Sequence, residues 1–302
     1  MKSVFHLLVL AAVLPAGAED LAQHYAGRGE LIITQLVSAP FPHPKRAQGH
    51  TYKEQLYSAG EHYSNSTVAV FIPKGFRETG QIDFVIHFHG WRNMATNALG
   101  RYELIAQLCD SGRNAILVVP QGAYDAPDSF GGKLEDPDGF KRFMAEVSQT
   151  LRGSASLKKK DFTIGRIILS GHSGGYQVIS SILDRGGLHD KVAEVWLFDA
   201  LYAQTDKFLA WYDAHHGRLL NIYTEHGGTK EETEQLMRML KERGTPFLAG
   251  QDGDCKPAEL RGSKPVFLFT ALEHDEVMAK HHTFREFLET SCLEKREAGQ
   301  NN

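Results

Sequence analysis

The sequence predicts an α/β protein: a mostly parallel central sheet flanked by helices on both faces, with no large lid domain. Three observations predict it. Short apolar runs alternate with amphipathic stretches along the chain, as repeated strand–helix–strand units require. Most of these runs are continuous in Val, Ile, Leu and Phe with little alternation, as strands buried on both faces must be. One of them leads directly into a glycine-rich turn and then into a helical pattern.

The elements follow in order. Lys2 precedes an apolar run over residues 4–14, broken by His6, and Pro15 and the small residues Ala16, Gly17 and Ala18 come next. That is the form of an export signal cleaved after Ala18, so residues 1–18 are expected to be removed and residues 19–302 to form one secreted or periplasmic domain. About 11 apolar residues fall short of the ~20 that a spanning helix needs, so no stable membrane insertion is expected. After the irregular stretch Ala39-Pro40-Phe41-Pro42-His43-Pro44, strands are expected over 68–72, 84–89, 115–119, 166–170, 194–198, 219–223 and 266–269. Helices are expected over 98–110, 137–152, 175–185, 204–215, 230–243 and 281–295. The helix over 230–243 has the clearest signature: Leu236, Met239 and Leu240 share a face, acidic residues fill the first turns, and Gly244 supplies the stop.

Composition narrows the function classes. With 42% hydrophobic and 23% charged residues, the chain can close a full core and is not disordered. A net charge of -4 provides no basic field to gather phosphates, and the run Lys158-Lys159-Lys160 lies beside Asp161, so nucleic acid is not an expected partner. Among the three cysteines, Cys109 sits between apolar residues as a core filler, whereas Cys255 and Cys292 are candidates for a disulfide in an oxidising compartment.

The chemistry is carried by Gly171-His172-Ser173-Gly174-Gly175, which follows a buried strand and precedes a helix. This is the strand–turn–helix setting of a nucleophile elbow, where glycines are needed because side chains would strike neighbouring elements. A serine hydroxyl is a poor nucleophile until a base takes its proton, so a histidine oriented by a carboxylate must lie in reach.

The elbow, together with His87-Phe88-His89-Gly90-Trp91 after an earlier strand and an acid and a histidine later in the chain, resembles the α/β-hydrolase superfamily over roughly residues 68–293. Within it, the sequence looks most like secreted serine esterases or peptidases. The resemblance implies the chain order serine, acid, histidine. By that order Ser173 is the nucleophile, and His274, in the segment after the last expected strand, is the base in preference to His281 and His282. The acid is Asp199, at the end of one strand, or Glu225, after the next; Asp199 is preferred because an apolar strand pins it at the sheet edge. The backbone N–H groups of Trp91 and Gly174 are the expected oxyanion donors.

His87 and His89 fall on one side of a strand, but no third ligand stands at compatible spacing, so neither metal nor other cofactor is expected. The irregular segment 121–136 is expected to wall a substrate groove, with Gln121 and Tyr124 nearest the chemistry. His89, Gly90 and His172 beside the nucleophile are further expected substrate contacts. Only about 20 residues separate the strand ending at Asp199 from the next, enough for one helix and no lid, which suits a bulky or polymeric ester or amide. Two rival readings keep the fold: a non-catalytic binding protein using the same cleft, and an acyltransferase using the same triad.

Overall fold

The structure is a computed structural model and describes residues 18–296; the expected export signal, up to Gly17, lies outside the described residues. The strands are β1 (Gly29–Gln35), β2 (His50–Tyr52), β3 (Gln55–Tyr57), β4 (Thr67–Pro73), β5 (Gln81–Phe88), β6 (Ile116–Pro120), β7 (Thr163–His172), β8 (Val192–Phe198), β9 (Arg218–Thr224), β10 (Leu248–Gln251) and β11 (Val266–Thr270). The helices are α1 (Ala18–Tyr25), α2 (Ala59–His62), α3 (Ala95–Arg101), α4 (Leu104–Asp110), α5 (Gly139–Gly153), α6 (Tyr176–Arg185), α7 (Thr205–His215), α8 (Lys230–Glu242), α9 (Pro257–Gly262) and α10 (Thr283–Thr290).

Nine strands form one sheet in the order β1-β4-β6-β5-β7-β8-β9-β11-β10, and β2 and β3 form a separate hairpin. β4 is antiparallel to both of its neighbours, and every other pair in the sheet is parallel. Helices cover both faces, so successive residues of a central strand enter different apolar layers. Val195 and Leu197 of β8 pack with Phe143 and Val147 of α5, Ile179 and Ile182 of α6 and Leu236 of α8. Trp196 and Phe198 of the same strand pack with Ile105 of α4 and with Phe284 and Phe287 of α10. Each large side chain so buried contributes about 1.5–3 kcal/mol, which is why the strands read as continuous apolar runs.

All seven expected strands are present. The additional strands have weaker patterns: β10 buries none of its four residues, and β1 buries Leu31 and Ile33 alone. The helix expected over 98–110 is two helices, because Glu103 adopts a left-handed conformation (φ 50°) and interrupts the turn pattern after Tyr102. The helix expected over 281–295 is shorter, since the chain beyond Ser291 runs on to pair Lys295 with Arg113. Between β8 and β9 lies only the helix α7, so no large lid covers the carboxyl edge of the sheet there. Among the described residues, no helix is long and apolar enough to cross a membrane.

The candidate disulfide between Cys255 and Cys292 is not formed: Cys109, Cys255 and Cys292 are free thiols. Cys255 packs against Gly250 of the edge strand β10, whereas the Cys292 amide donates to Glu194 of the central strand β8, so the two belong to different parts of the sheet. Cys109 is half-buried against the layer formed by α4, as a filler would be.

Candidate active site

The carboxyl ends of four strands converge. β5 leads into His89-Gly90-Trp91, β7 into Ser173, β8 into Asp199, and β11 into the loop that carries His274. At the elbow, a single 3-10 turn (Ser173–Gly175) joins β7 to α6 and holds Ser173 at φ 53°, a conformation that costs a non-glycine residue about 1–3 kcal/mol. The strain persists because the surroundings leave no other path. A Cβ on Gly90 would stand 2.5 Å from the Ser173 Cβ, one on Gly171 2.7 Å from Ile179, and one on Gly175 2.6 Å from the Phe88 carbonyl oxygen. The chain can pack this tightly around the serine only with glycine at those positions.

Asp199 is fully buried and also has a left-handed backbone, at φ 44°. The His274 Nδ1–H donates to its Oδ2 at 2.6 Å, which leaves Nε2 as the imidazole's free basic nitrogen. The Thr224 hydroxyl donates to the same oxygen at 2.9 Å, the Thr224 amide donates to Oδ1 at 3.2 Å, and the Thr229 hydroxyl donates to Oδ1 as well. Burial pushes the Asp199 carboxyl up, but the donors from His274, Thr229 and Thr224 outweigh it and hold the group below its ordinary value. Gly227 permits this closure, because a Cβ there would meet Asp199 Oδ2 at 1.8 Å.

Glu225 lies elsewhere in this arrangement. It is exposed and accepts from Lys230 Nζ at 2.7 and 2.8 Å, and that pairing holds its carboxyl below the usual range. The other two histidines of the region also face away: His281 pairs with Asp252 at 2.8 Å, and His282 stands 3.8 Å from Glu103.

A cavity of about 210 Å³ opens beside the serine, lined by Trp91, Ser129, Ser173, Gly174, Tyr176 and Tyr202. The Trp91 indole is 42% exposed, yet its Nε1–H donates to the Ser129 hydroxyl at 2.7 Å and Tyr52 of the β2–β3 hairpin packs edge-on against it at 5.2 Å. The Tyr202 hydroxyl donates to the Gly227 carbonyl at 2.7 Å, and burial pushes that phenol up to about 12.

The expected substrate contacts fare differently. His89 is buried; its Nδ1–H donates to the Gly90 carbonyl at 2.9 Å, and its Nε2 accepts from the Gly122 amide and the Gln121 side-chain amide, each at 3.0 Å. Gln121 is thereby used up inside the protein, since its oxygen also accepts from the Ala95 amide at 2.9 Å. Tyr124 is anchored through its backbone, its amide donating to the His62 carbonyl at 2.9 Å. The loop 121–136 does reach the cavity, but through Ser129 instead of Gln121 or Tyr124. Gly90 is pressed against Ser173, and His172 is 2% exposed.

His87 and His89 take different partners, His87 Nδ1 meeting the Ser170 hydroxyl at 3.0 Å. The residues whose ligand-type atoms do converge, within 4.8 Å of one another, are His172, His274 and Asp275. Both nitrogens of His172 are engaged, with the Tyr102 hydroxyl and the His274 carbonyl, so this set holds itself together by hydrogen bonds.

Ser129, Tyr176 and Thr229 were not expected at the site from the sequence, whereas Ala200-Leu201-Tyr202 after Asp199 suggests a partly enclosed site. Tyr176 directly follows the elbow, a proximity that could have marked it. No local pattern distinguishes Ser129 or Thr229.

No protein-family model matches the chain, and no curated protein matches its sequence. Solved structures do resemble it. FphF, a fluorophosphonate-binding serine hydrolase of Staphylococcus aureus, is 13% identical with a TM-score of 0.51, over 88% of this chain and 100% of that one. A ferulic acid esterase is 12% identical with a TM-score of 0.53, over 87% of this chain and 96% of that one. The feruloyl esterase module from Clostridium thermocellum, complexed with sinapinate, is 10% identical with a TM-score of 0.52, over 95% of this chain and 96% of that one. At such identities the likeness is one of fold, and the fold is that of the α/β-hydrolases.

Proposed function

We propose that this chain, with its α/β-hydrolase fold, is an exported serine hydrolase that cleaves an ester through an acyl-enzyme on Ser173. The observation that carries the reading is the 2.6 Å hydrogen bond between His274 and the buried Asp199, formed at the same sheet edge as a serine held in a strained elbow. In this reading His274 Nε2 takes the proton from Ser173 Oγ as the oxygen attacks the ester carbonyl. Asp199 holds the Nδ1–H tautomer and stabilises the imidazolium that forms. The backbone N–H groups of Trp91 and Gly174 receive the developing oxyanion, whose stabilisation is typically worth 10²–10³-fold in rate per donor. The imidazolium then gives its proton to the departing alcohol, and a water activated by the same nitrogen releases the acid.

Ester rather than amide cleavage is favoured by the neighbours, two of which carry the name esterase. A bulky acyl or alcohol group is favoured by the half-exposed Trp91 at the cavity and by the lack of a large lid.

The test is hydrolysis of 4-nitrophenyl esters of short acids by the purified protein, followed on the millisecond scale. The expected result is a burst of nitrophenol close to one equivalent per protein, absent from Ser173→Ala. No turnover of any ester in the series, or turnover that survives Ser173→Ala, would contradict the proposal.

A further inference from the structure

His172 stands inside the elbow motif, directly before the nucleophile, yet its side chain serves the opposite partner. Its Nε2 lies 2.9 Å from the main-chain carbonyl oxygen of His274, 102 residues away in sequence, and its Nδ1 lies 3.0 Å from the Tyr102 hydroxyl. A carbonyl only accepts, so Nε2 carries the proton, and Nδ1 accepts from Tyr102. Tyr102 is itself backed by the Asn93 side-chain amide at 3.4 Å. The two imidazoles lie one against the other, with centroids 4.5 Å apart and planes tilted by 37°.

The loop between β11 and α10 that carries His274 is also held by its side chains: Val277 and Met278 are fully buried, His274 meets Asp199 and His281 pairs with Asp252. Arg101 pairs with Asp275 at 2.7 Å, but both side chains are about half exposed, where such a pair contributes little. The Gln107 amide donates to the Met278 carbonyl at 3.1 Å, four residues beyond the imidazole. The His172 bond, by contrast, grips the His274 peptide itself, and it does so from the last residue of β7, next to Ser173.

We infer that His172 is a positioning residue: its Nε2–H clamps the main chain of His274 to the elbow and so sets the distance between base and nucleophile. The inference rests on the hydrolase reading and deepens it. It also accounts for the choice of a neutral donor at this place. Burial, and next the neighbouring His274, lower the His172 imidazole to about 4, against the opposing influence of the His274 carbonyl, Asp275 and Asp199. His87, beneath it, is likewise held neutral by burial. When His274 takes the proton from the serine, no second positive charge stands against its ring; a lysine or arginine donor would put one there.

The test compares two variants with 4-nitrophenyl butyrate as probe. His172→Gln places an amide N–H where Nε2–H stands, whereas the shorter amide of His172→Asn reaches toward Tyr102 and falls short of the His274 carbonyl. The Asn variant is expected to lose roughly 10- to 100-fold in kcat with KM within about twofold, and the Gln variant to recover most of the loss, because displacing a catalytic group by an ångström costs that much. Equal rates in both variants, whether both retained or both lost, would overturn the inference. So would a loss confined to KM, which would make His172 a substrate contact. Fluorophosphonate labelling of the wild type keeps the two failures apart. Absence of label on Ser173 ends the hydrolase reading, whereas labelling with indistinguishable Asn and Gln variants ends the role of His172 alone.

Discussion

The two ends of the central sheet use buried polar groups in opposite ways. At the amino ends of the parallel strands lies the larger opening, a cleft of about 810 Å³ whose lining includes Arg166, Glu194, Arg218, Lys264 and Cys292. Its buried pair is hydrogen-bonded within the protein, although Arg218 Nε has no hydrogen-bond partner. Arg218 meets Glu194 at 2.9 Å and also donates to the Leu260 carbonyl and the Thr290 hydroxyl, while Glu194 accepts from the Trp196 indole and the Cys292 amide. At the carboxyl ends the cavity is about a quarter of that size, at roughly 210 Å³. There Ser173 and Asp199, just beyond the ends of adjacent strands, hold left-handed backbone conformations without being glycine, as His216 does at the amino-end cleft. The comparison teaches that the size of an opening does not mark chemistry. An imidazole hydrogen-bonded to a buried carboxylate, with its second nitrogen still available, separates the two ends better.

Substitutions at the two ends should separate accordingly. The largest effect belongs to Ser173→Ala, expected to lower kcat on the order of a million-fold while leaving the urea midpoint within experimental error of the wild type. Asp199→Asn follows, at about 10⁴-fold in kcat, because the imidazole would lose its tautomer; Glu225→Gln should stay within about twofold, and steady-state kinetics on both decides between the two carboxylates. Gly90→Ala places a methyl group 2.5 Å from the Ser173 Cβ and should lower kcat about 100-fold by pushing the nucleophile aside. Glu194→Gln, at the other end, leaves Arg218 buried without its counter-charge. It should remove about 3–5 kcal/mol of stability in urea unfolding while kcat of the folded enzyme is unchanged, and a fall in kcat at constant fold would break the contrast between the ends.

The smallest effect is in pH dependence. The Asp199 carboxyl is held below its ordinary value of 3.8, so the stability it contributes is complete above that value and is lost as pH falls toward the lowered one. Urea unfolding between pH 5 and pH 3 should therefore show a steeper loss in the wild type than in Asp199→Asn. Parallel losses would remove the hydrogen-bonded carboxylate from the account.

The sheet was largely legible because burial on both faces writes itself as uninterrupted apolar runs, as in β4, where every residue is buried. β10 escaped because an edge strand of four residues with no buried position has no such signature. The elbow was legible because close packing demands glycine, and Gly171 and Gly175 are both within 3 Å of another element's atoms if given a Cβ. Side-chain direction was not legible. Gln121 and Tyr124 were expected to face substrate, but Gln121 turns inward to His89, and Ser129 of the same loop faces the cavity. His172, expected to contact substrate, is buried instead against the loop of His274. Nor does a sequence disclose that the end of β9 and the turn after it, which carries Glu225, serve Asp199 through Thr224 and Thr229.

The claim on which the rest depends is that one hydroxyl in this chain is made nucleophilic by His274. Reaction of the intact protein with a fluorophosphonate, followed by peptide mass spectrometry, addresses it directly. The account predicts a single adduct on the peptide containing Ser173, formed at least 100-fold more slowly in His274→Ala, an order of magnitude set by the loss of a general base. An adduct on any other residue, or one that forms at the same rate without the imidazole, would contradict it.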